Sequence, residues 1–397
     1  MAITINTQVI RYFGQESNNG LTLVVLSEAR LGTWNSDHTV FTPGAQGLSD
    51  RIINTADLYN KLGPGTGEGD VADKAYAELN VVDYLLRQGV NVYVLTTAAV
   101  GTITATDLAK ANDIDNLGYQ FVMLPNYKLT QTSTAVMTAL NAFVADKDIE
   151  VYLDLNPGIT PANAKTVVAL ANNNPKFSFF EGFGIEEGTP AYDGGVNFIG
   201  IPASAAVITR KAAFIANGTP WLAAAGQVNG LFPEFINLNR KMSTQDKNLL
   251  QAEHVNVLNY KVGVGALMTS QNTALVPALT DKNNPLVRGH VVTELMYIKR
   301  KLNEVSDGVL YLPHTQNTWD AWTLKVKAFM EPMFKADGLV TYRVVADNRT
   351  MSKADIENNL FKAVVSYVPV GAIESIVITL QVHQNEGTIV ANVGGLI

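Results

Sequence analysis

The segment Leu21-Thr-Leu-Val-Val-Leu26 decides the fold class of this chain, because a short, almost entirely apolar run is typical of a strand buried on both sheet faces. Four further segments have the same character: residues 91–96, 119–124, 149–155 and 196–201. Helical patterns lie between these strands, at about residues 70–88, 132–146, 161–173 and 203–216. Buried strands that alternate with helices predict an α/β lobe with a mixed, largely parallel sheet.

The last third of the chain is dominated instead by two amphipathic helices. Apolar residues separated by four and three positions form the first helical face: Val291, Leu295, Ile298, Leu302 and Val305. The second face has a similar spacing: Trp319, Trp322, Val326, Phe329 and Met333. Pro332 is expected to kink or end the second helix, because proline lacks a backbone N–H.

Shorter elements follow the two helices. Ser352, with Asp355 three positions later, predicts a capped helix over residues 352–365. Strands are predicted at about residues 339–346 and 373–383. The C-terminal part is therefore expected to form an α+β domain, distinct from the preceding α/β lobe.

The region between these two parts is harder to interpret. Residues 218–285 are rich in Gly, Asn and Pro, which predicts irregular connections and short strands.

Both ends of the chain are strand-like. An unpaired strand needs a sheet edge that satisfies its N–H and C=O groups. The ends are predicted either to add strands to sheets of neighbouring copies or to pair within their own chain, and the pattern leaves both possibilities open. The residues predicted to take part in strand exchange are Ile3, Ile5 and Val9 at one end and Ile389, Ala391 and Val393 at the other.

Composition limits the classes of function. Of the 397 residues, 47% are hydrophobic and 16% are charged, which fits a large core and a surface covered by partners. The net charge of −7 argues against nucleic-acid binding, which needs a basic surface. Residues 281–397 contain 12 basic and 12 acidic residues, so the whole net charge lies before them. An acidic outer lobe on a neutral, packed base would fit this asymmetry.

Targeting and cysteine signals are missing. The chain has no cysteine, which excludes disulfides and thiolate metal sites. Its first residues lack the basic and apolar regions of a signal peptide, and no stretch of about 18 apolar residues predicts membrane insertion. We therefore expect a soluble protein made in a cytoplasm.

Catalytic motifs find little support. The segment Leu62-Gly-Pro-Gly-Thr-Gly-Glu-Gly-Asp70 resembles a phosphate loop but has acidic residues where that loop needs Lys and Ser or Thr. None of the histidines is expected to have a metal-ligating neighbour four residues away, so no metal site is predicted. Ser204 lacks the Gly-x-Ser-x-Gly turn of hydrolases and is interpreted as a helix N-cap. The sequence thus predicts no catalytic residue, cofactor or metal.

Basic residues on the two C-terminal helices are candidates for a contact with a charged partner. Lys299 lies on the first helix, and Lys325 and Lys327 lie on the second. Such residues usually form a solvated face. The alternative is that they contact an inner tube or a neighbouring subunit.

Several segments in the first two thirds of the chain resemble the contractile tail sheath family. They are Ile53-Asn-Thr-Ala-Asp-Leu-Tyr-Asn-Lys-Leu-Gly63, Leu86-Arg-Gln-Gly-Val-Asn-Val-Tyr-Val-Leu95, Ile201-Pro-Ala-Ser-Ala-Ala, Pro220-Trp-Leu-Ala-Ala-Ala-Gly-Gln-Val-Asn-Gly230 and Val255-Asn-Val-Leu-Asn-Tyr-Lys-Val-Gly-Val-Gly265.

The C-terminal resemblance is the most specific. It comprises a helix after Val287-Arg288 and then Leu310-Tyr-Leu-Pro-His-Thr-Gln-Asn-Thr-Trp319, Lys335-Ala-Asp-Gly338, Tyr342-Arg-Val-Val-Ala-Asp347, Ser352-Lys-Ala-Asp-Ile356 and Val368-Pro-Val-Gly-Ala-Ile-Glu-Ser-Ile376. The chain departs from the family pattern at His314-Thr-Gln, at Pro332, which interrupts a helix that is usually continuous, and in its short length. The short length implies few or no outer decoration domains.

The resemblance implies a structural subunit of a contractile sheath in a virion tail, assembled in the host cytoplasm. Such subunits form hexameric rings, stack helically around an inner tail tube protein and exchange terminal strands with their neighbours. They also meet baseplate and tail terminator proteins, and they bind no nucleic acid and insert into no membrane. Contraction drives the tube through the target envelope without nucleotide. Phage, bacteriocin and other injection systems are not distinguished.

The resemblance also implies a division of the chain. Residues 1–20 form an arm that joins a C-terminal assembly domain at 284–397, and residues 21–283 form an outer α/β lobe. An α/β hydrolase-like or nucleotide-binding enzyme, with its site in the crevice of the sheet, is the alternative. A different virion component is a weaker possibility.

Overall fold

The computed structural model describes most of the chain. The described residues are 3–4, 21–26, 32–36, 41–43, 47–63, 74–97, 103–111, 118–125, 127–187, 198–277 and 283–373.

Strands and helices are numbered in chain order. The strands are β1 (Ile3–Thr4), β2 (Thr22–Leu26), β3 (Gly32–Trp34), β4 (Phe41–Pro43), β5 (Val92–Thr96), β6 (Phe121–Met123), β7 (Glu150–Asp154), β8 (Phe177–Glu181), β9 (Phe183–Glu187), β10 (Phe198–Pro202), β11 (Leu231–Phe232), β12 (Phe235–Leu238), β13 (Val255–Lys261), β14 (Gly265–Met268), β15 (Leu339–Val345) and β16 (Val364–Pro369). The α-helices are α1 (Thr55–Leu62), α2 (Lys74–Arg87), α3 (Ala105–Ala109), α4 (Thr134–Val144), α5 (Pro161–Ala169), α6 (Ala203–Ala216), α7 (Gly226–Asn229), α8 (Thr244–Ala252), α9 (Gly289–Asp307), α10 (Gln316–Lys335) and α11 (Lys353–Glu357).

The largest sheet has eight strands in the order β11-β14-β13-β8-β7-β6-β2-β5. The six strands from β13 to β5 are parallel, while β14 and β11 are antiparallel additions at one edge. Every residue of β2, β5, β6, β7 and β8 is buried, as expected when helices cover both faces. The predicted mixed, largely parallel α/β sheet is confirmed.

Helices cover both faces of this sheet. One core cluster packs α2 and α6 against residues such as Val24, Phe121 and Tyr152. The other cluster packs α3, α4, α5 and α8 against residues such as Leu23 and Val151. The four helical patterns predicted for this part are confirmed, as α2, α4, α5 and α6.

Two features of the sheets differ from the prediction. The strand predicted at 196–201 exists as β10, but it pairs antiparallel with β9 in a separate sheet of order β10-β9-β12. Residues 218–285, for which irregular connections and short strands are predicted, also contribute the seven-residue strand β13, which pairs in parallel with β8 as a strand of the main sheet that the sequence does not predict.

The C-terminal part packs two long helices against a second small sheet. Its core includes Ile298 of α9, Val326 of α10 and Tyr367 of β16. Both predicted apolar helix faces are confirmed: four of the five α9 residues and four of the five α10 residues are buried, with Val305 and Phe329 packed against the cluster. No helix among the described residues is long and apolar enough to cross a bilayer.

Pro332 lies inside α10 and does not end it, which contradicts one of its two expected effects; the other, a kink, stays a prediction. The helix continues to Lys335, and the N–H of Ala336 donates to the carbonyl of Pro332 at 3.0 Å. A proline in the last turn removes a single N–H donor, and the residues that follow still close the helix.

The helix predicted over residues 352–365 is too long. Its capping box is present, since Ser352 and Asp355 satisfy each other's backbone N–H, but α11 ends at Glu357. Asn359 adopts a left-handed φ of 55°, a common helix-ending conformation for asparagine. Residues 364–369 then form β16, which the sequence did not predict. The predicted strand at 373–383 lies almost entirely outside the described residues.

Candidate assembly interface

The terminal sheet consists of β1, β16 and β15, in that order. β16 is the central strand and pairs antiparallel with β15, placing Tyr367 opposite Tyr342 and Val365 opposite Val344. Its other edge pairs antiparallel with β1, where Ile3 lies opposite Tyr367 and Thr4 opposite Ser366. The N-terminal end of the chain thus supplies an edge strand to a sheet formed more than 300 residues later.

The two faces of the terminal sheet differ. Val365 and Tyr367 are buried against α9 and α10, while Val364, in alternate register, is exposed. Within the described part of the chain, no strand pairs with the second edge of β15, and Val340, Thr341 and Arg343 on that strand are exposed. A seven-residue edge with unpaired backbone groups is a template for strand addition.

The outer face of α10 carries the predicted basic residues. Lys325 and Lys327 are exposed beside Leu324, which is 70% exposed. In the described residues, neither lysine has an acidic partner within ion-pair distance. Lys299 differs, because its Nζ lies 2.8 Å from a carboxylate oxygen of Asp148 in the same chain.

An exposed apolar patch lies at the connection between α9 and α10. Leu310, Tyr311 and Leu312 are all exposed there, and Tyr311 is 92% exposed with a φ of 65°. A tyrosine with positive φ is uncommon, because its Cβ is crowded in the left-handed region.

A buried polar network attaches α9 to the α/β lobe. Lys211 of α6 donates through Nζ to Thr293 Oγ1 at 2.6 Å, to the Gly289 carbonyl at 3.0 Å and to Glu150 Oε2 at 3.3 Å. The Tyr152 hydroxyl and Thr293 also donate to Glu150 Oε2. Burial lowers the pKa of Lys211, and Glu150 opposes that shift. The network therefore holds an ion pair away from solvent at the junction of α6, β7 and α9.

Two titratable residues on α9 lie in the core without hydrogen-bond partners. His290 and Glu294 are 2% and 0% exposed, and within the described ranges both ring nitrogens and both carboxylate oxygens are unpartnered. Burial lowers the pKa of His290 to about 4 and raises the pKa of Glu294 to about 8. Both groups are therefore neutral at pH 7.

The expectation that no histidine has a potential ligand four residues away is wrong for His290, since Glu294 stands at that spacing. Across the described ranges, however, no group of three His, Cys, Asp or Glu side chains is arranged to hold a metal ion.

The enzyme alternative would draw on polar groups at the carboxyl end of the main sheet. Asp154, at the end of β7, accepts from the hydroxyl and the backbone N–H of Ser204. The prediction that Ser204 is the N-cap of α6 is therefore wrong. Pro202 holds that position, and the Asp154 carboxylate accepts the hydrogen bonds at the start of the helix. Burial raises the pKa of Asp154 to about 7, and the bonds from Ser204 oppose that shift. This pair closes a helix end, which is a structural role.

The strand-exchange residues are only partly described. Ile3 lies in β1, whereas Ile5, Val9, Ile389, Ala391 and Val393 lie outside the described residues, as does most of the glycine-rich loop. The strand-exchange and lysine-contact assignments therefore stay predictions. The roles of β16, Lys211 and Glu294 were not predicted from the sequence. For Lys211 and Glu294, the available signal was an ionisable residue within an apolar helical pattern.

No protein-family model matches this chain, and no curated protein sequence matches it. Solved structures do. The fold is that of the sheath proteins of contractile injection systems, with which the chain aligns over nearly its whole length.

A chain of the anti-feeding prophage (AFP) baseplate has a TM-score of 0.70 at 15% identity, covering 96% of this chain and 98% of that one. The AFP helical sheath in its contracted state has a TM-score of 0.67 at 14% identity, and the alignment covers 96% of this chain and 98% of that one. The sheath complex of the extracellular contractile injection system PVC, also in its contracted state, has a TM-score of 0.65 at 14% identity. That alignment covers 97% of this chain and 99% of the PVC chain. The resemblance noted in the sequence is thus confirmed at the level of the fold, and the enzyme alternative gains no support.

Proposed function

We propose that this chain is a structural, non-enzymatic subunit of a contractile sheath. The observation that carries the proposal is the shared fold over at least 96% of this chain and 98% of each compared chain, two of which belong to contracted sheaths.

The chain divides by role. Residues 21–283 form an outer α/β lobe, and residues 284–397 form the assembly domain, which residues 1–20 join. The separate core clusters of the two parts support this division. The buried network around Lys211 fixes the first turns of α9 to the lobe, so a rotation of the lobe would be transmitted to the assembly domain.

The terminal sheet holds neighbouring subunits together. In the single chain, the N-terminal segment pairs with its own β16. In the lattice, this segment moves to a neighbour, and the same segment of an adjacent copy takes its place beside β16. The unpaired edge of β15 receives a C-terminal segment containing Ile389, Ala391 and Val393. Backbone hydrogen bonds supply the attachment, which depends little on side-chain identity. A lattice joined in this way can reorient its subunits without coming apart.

Contraction needs no cofactor under this proposal. The extended lattice is metastable, and the contracted lattice has better interfaces, so energy stored during assembly is released on triggering. The subunits form hexameric rings stacked in a helix and meet baseplate and tail terminator proteins at the two ends. The assembled sheath forms part of a virion tail or a related particle built in the host cytoplasm.

The inner tube protein is the proposed partner of α10. Lys325 and Lys327 are exposed, carry no internal ion pair among the described residues and flank the exposed Leu324, which suits an acidic surface with an apolar centre. The same role for Lys299 would require its ammonium group to leave Asp148.

Replacing both lysines of α10 by glutamine is expected to reduce cosedimentation with the inner tube protein severalfold at 50 mM salt and much less at 500 mM. Salt screens exposed charges beyond roughly 10 Å at 0.1 M, so the lost attraction matters most at low salt. Lys335→Gln on the same helix is the control, because Lys335 is paired with Glu331. Equal binding by all three proteins at low salt would exclude α10 as the contact.

Negative-stain electron microscopy of the purified full-length chain tests the proposed function itself. We expect six-fold rings or hollow tubes whose inner diameter admits a tube, formed with or without added inner tube protein. A chain that remains monomeric at high concentration, both alone and with its tube and baseplate partners, would contradict the proposal.

A further inference from the structure

We propose that Glu294 makes the terminal sheet sensitive to pH: the sheet is closed most firmly while Glu294 is protonated and opens more readily as the pH rises from mildly acidic to mildly alkaline. This inference deepens the proposed function, because the terminal sheet is the proposed point of attachment between subunits.

The side chain of Glu294 lies in the interior of the protein. It lies in the part of α9, residues 289–296, that is buried all round. Its side chain is completely buried, and neither carboxylate oxygen has a hydrogen-bond partner in the described part of the chain. An ionised carboxylate in such a place is strongly disfavoured, whereas a protonated one costs much less.

The helix that carries Glu294 packs against the terminal sheet, because Leu295 of α9 and Tyr367 of β16 belong to the same core cluster. Tyr367 of β16 is 1% exposed, its hydroxyl is also unpartnered, and a negative charge on Glu294 would raise its pKa further. Tyr367 is also the residue opposite Ile3, so a charge on Glu294 would act on the strand that receives β1. Water can reach Glu294 from this side if β16 separates from α9.

Among the residues that the structure describes, no cation compensates a charge on Glu294. The ammonium group of Lys211 in α6 donates to Glu150 of β7 and to Thr293. Its charge lowers the pKa of His290. His290, one turn before Glu294, is kept neutral by burial and by the charges of Lys211 and Arg288.

The other described elements that pack against α9 also place no cation beside Glu294. The side chains with which α10 enters the shared core are uncharged: Trp322, Val326, Met330 and Met333. Tyr342 of β15 donates to Glu331 at the surface, and Arg300 of α9 donates to the carbonyls of Tyr119 and Asp148. Burial alone accounts for the raised pKa of Glu294.

The sign follows from proton linkage. With a pKa of about 8 when buried and 4.5 as the ordinary value, Glu294 keeps its proton between these values while any state that exposes it releases the proton. Opening and unfolding are therefore favoured progressively from about pH 4.5 to about pH 8. Above that range both states are ionised and the effect is constant.

Comparison of the wild type with Glu294→Gln tests the inference. In the full-length chain, we expect the wild-type unfolding constant to increase between pH 5 and 8 by about two to three powers of ten more than that of Glu294→Gln. Hydrogen exchange of the β16 amides, corrected for its intrinsic pH dependence, should show the same difference. Glu304→Gln is the control, because Glu304 lies on the same helix but is exposed and paired with Lys301.

Parallel pH profiles for the wild type and Glu294→Gln, in both unfolding and β16 exchange, would overturn the inference. If Glu294→Gln does not fold, the infrared carbonyl band decides, measured in an Asp154→Asn background because the pKa of Asp154 is also raised, to about 7. Loss of a buried protonated carboxyl signal near pH 8 supports the inference, and its absence above pH 4.5 overturns it. These measurements need no polymer, so failure to form sheaths at any pH would count against the proposed function alone.

Discussion

Deleting residues 1–12, or residues 386–397, is expected to abolish polymers while leaving a folded monomer. The first deletion removes β1 and with it the backbone partners of Tyr367 and Ser366. The second removes the segment proposed for the free edge of β15. Each missing strand leaves an unpaired edge and breaks one link to a neighbour. Sedimentation velocity would show loss of the assembled species, and circular dichroism would show unchanged secondary structure.

The monomer is expected to survive because the described hydrophobic clusters draw on neither segment. Their buried members run from Leu21 to Tyr367. Unfolding temperatures should therefore fall by a few degrees at most, since removing residues outside a core generally costs little.

A matched pair of variants tests whether the C-terminal segment acts through its backbone hydrogen bonds or merely by being present. Changing Ile389, Ala391 and Val393 to proline removes backbone donors, whereas changing them to threonine keeps both the donors and a high strand propensity. The proline variant should fail to polymerise and the threonine variant should assemble. Polymers that form normally after both deletions would contradict strand exchange between subunits.

Much of the main sheet is predictable because its strands are apolar at almost every position. The two parallel strands that the sequence analysis missed contain buried polar residues. Glu181 at the end of β8 is completely buried beside Arg240, and Asn256 in β13 bonds to the backbone of Asn272. A local pattern scores such residues as turns or loops, although their hydrogen bonds are made by partners distant in sequence.

The assembly interface is predictable only in part, for a related reason. Strand-like chain ends are visible in the sequence, but the strand that receives β1 is not: Val364 and Val365 lie within the predicted helix, and the rest of β16 lies in no predicted element. The signals that end α11, a left-handed Asn359 followed by Val364 and Val365, are short and local. Which edge of the sheet remains unpaired depends on the order of β1, β16 and β15, and this order is a tertiary property.

The buried ion pair provides the largest expected change in stability. Lys211→Met is expected to destabilise the folded chain by about 3–5 kcal/mol, because it leaves a buried carboxylate at Glu150 without its cation. Tyr152 and Thr293 would still donate to that carboxylate but carry no compensating charge. Denaturant unfolding at pH 7, followed by tryptophan fluorescence, measures the loss.

The double variant Lys211→Met with Glu150→Gln is expected to recover much of this loss. The glutamine oxygen still accepts from Tyr152 and Thr293, and a methionine fills the space of the lysine stem without a charge. The exposed pair of Lys165 and Glu253, 3.7 Å apart, is the control, and Lys165→Met should change stability by less than about 1 kcal/mol. If Lys211→Met costs no more than this control, the network does not join α9 to the lobe, and rotation of the lobe would have to reach the terminal sheet by another route.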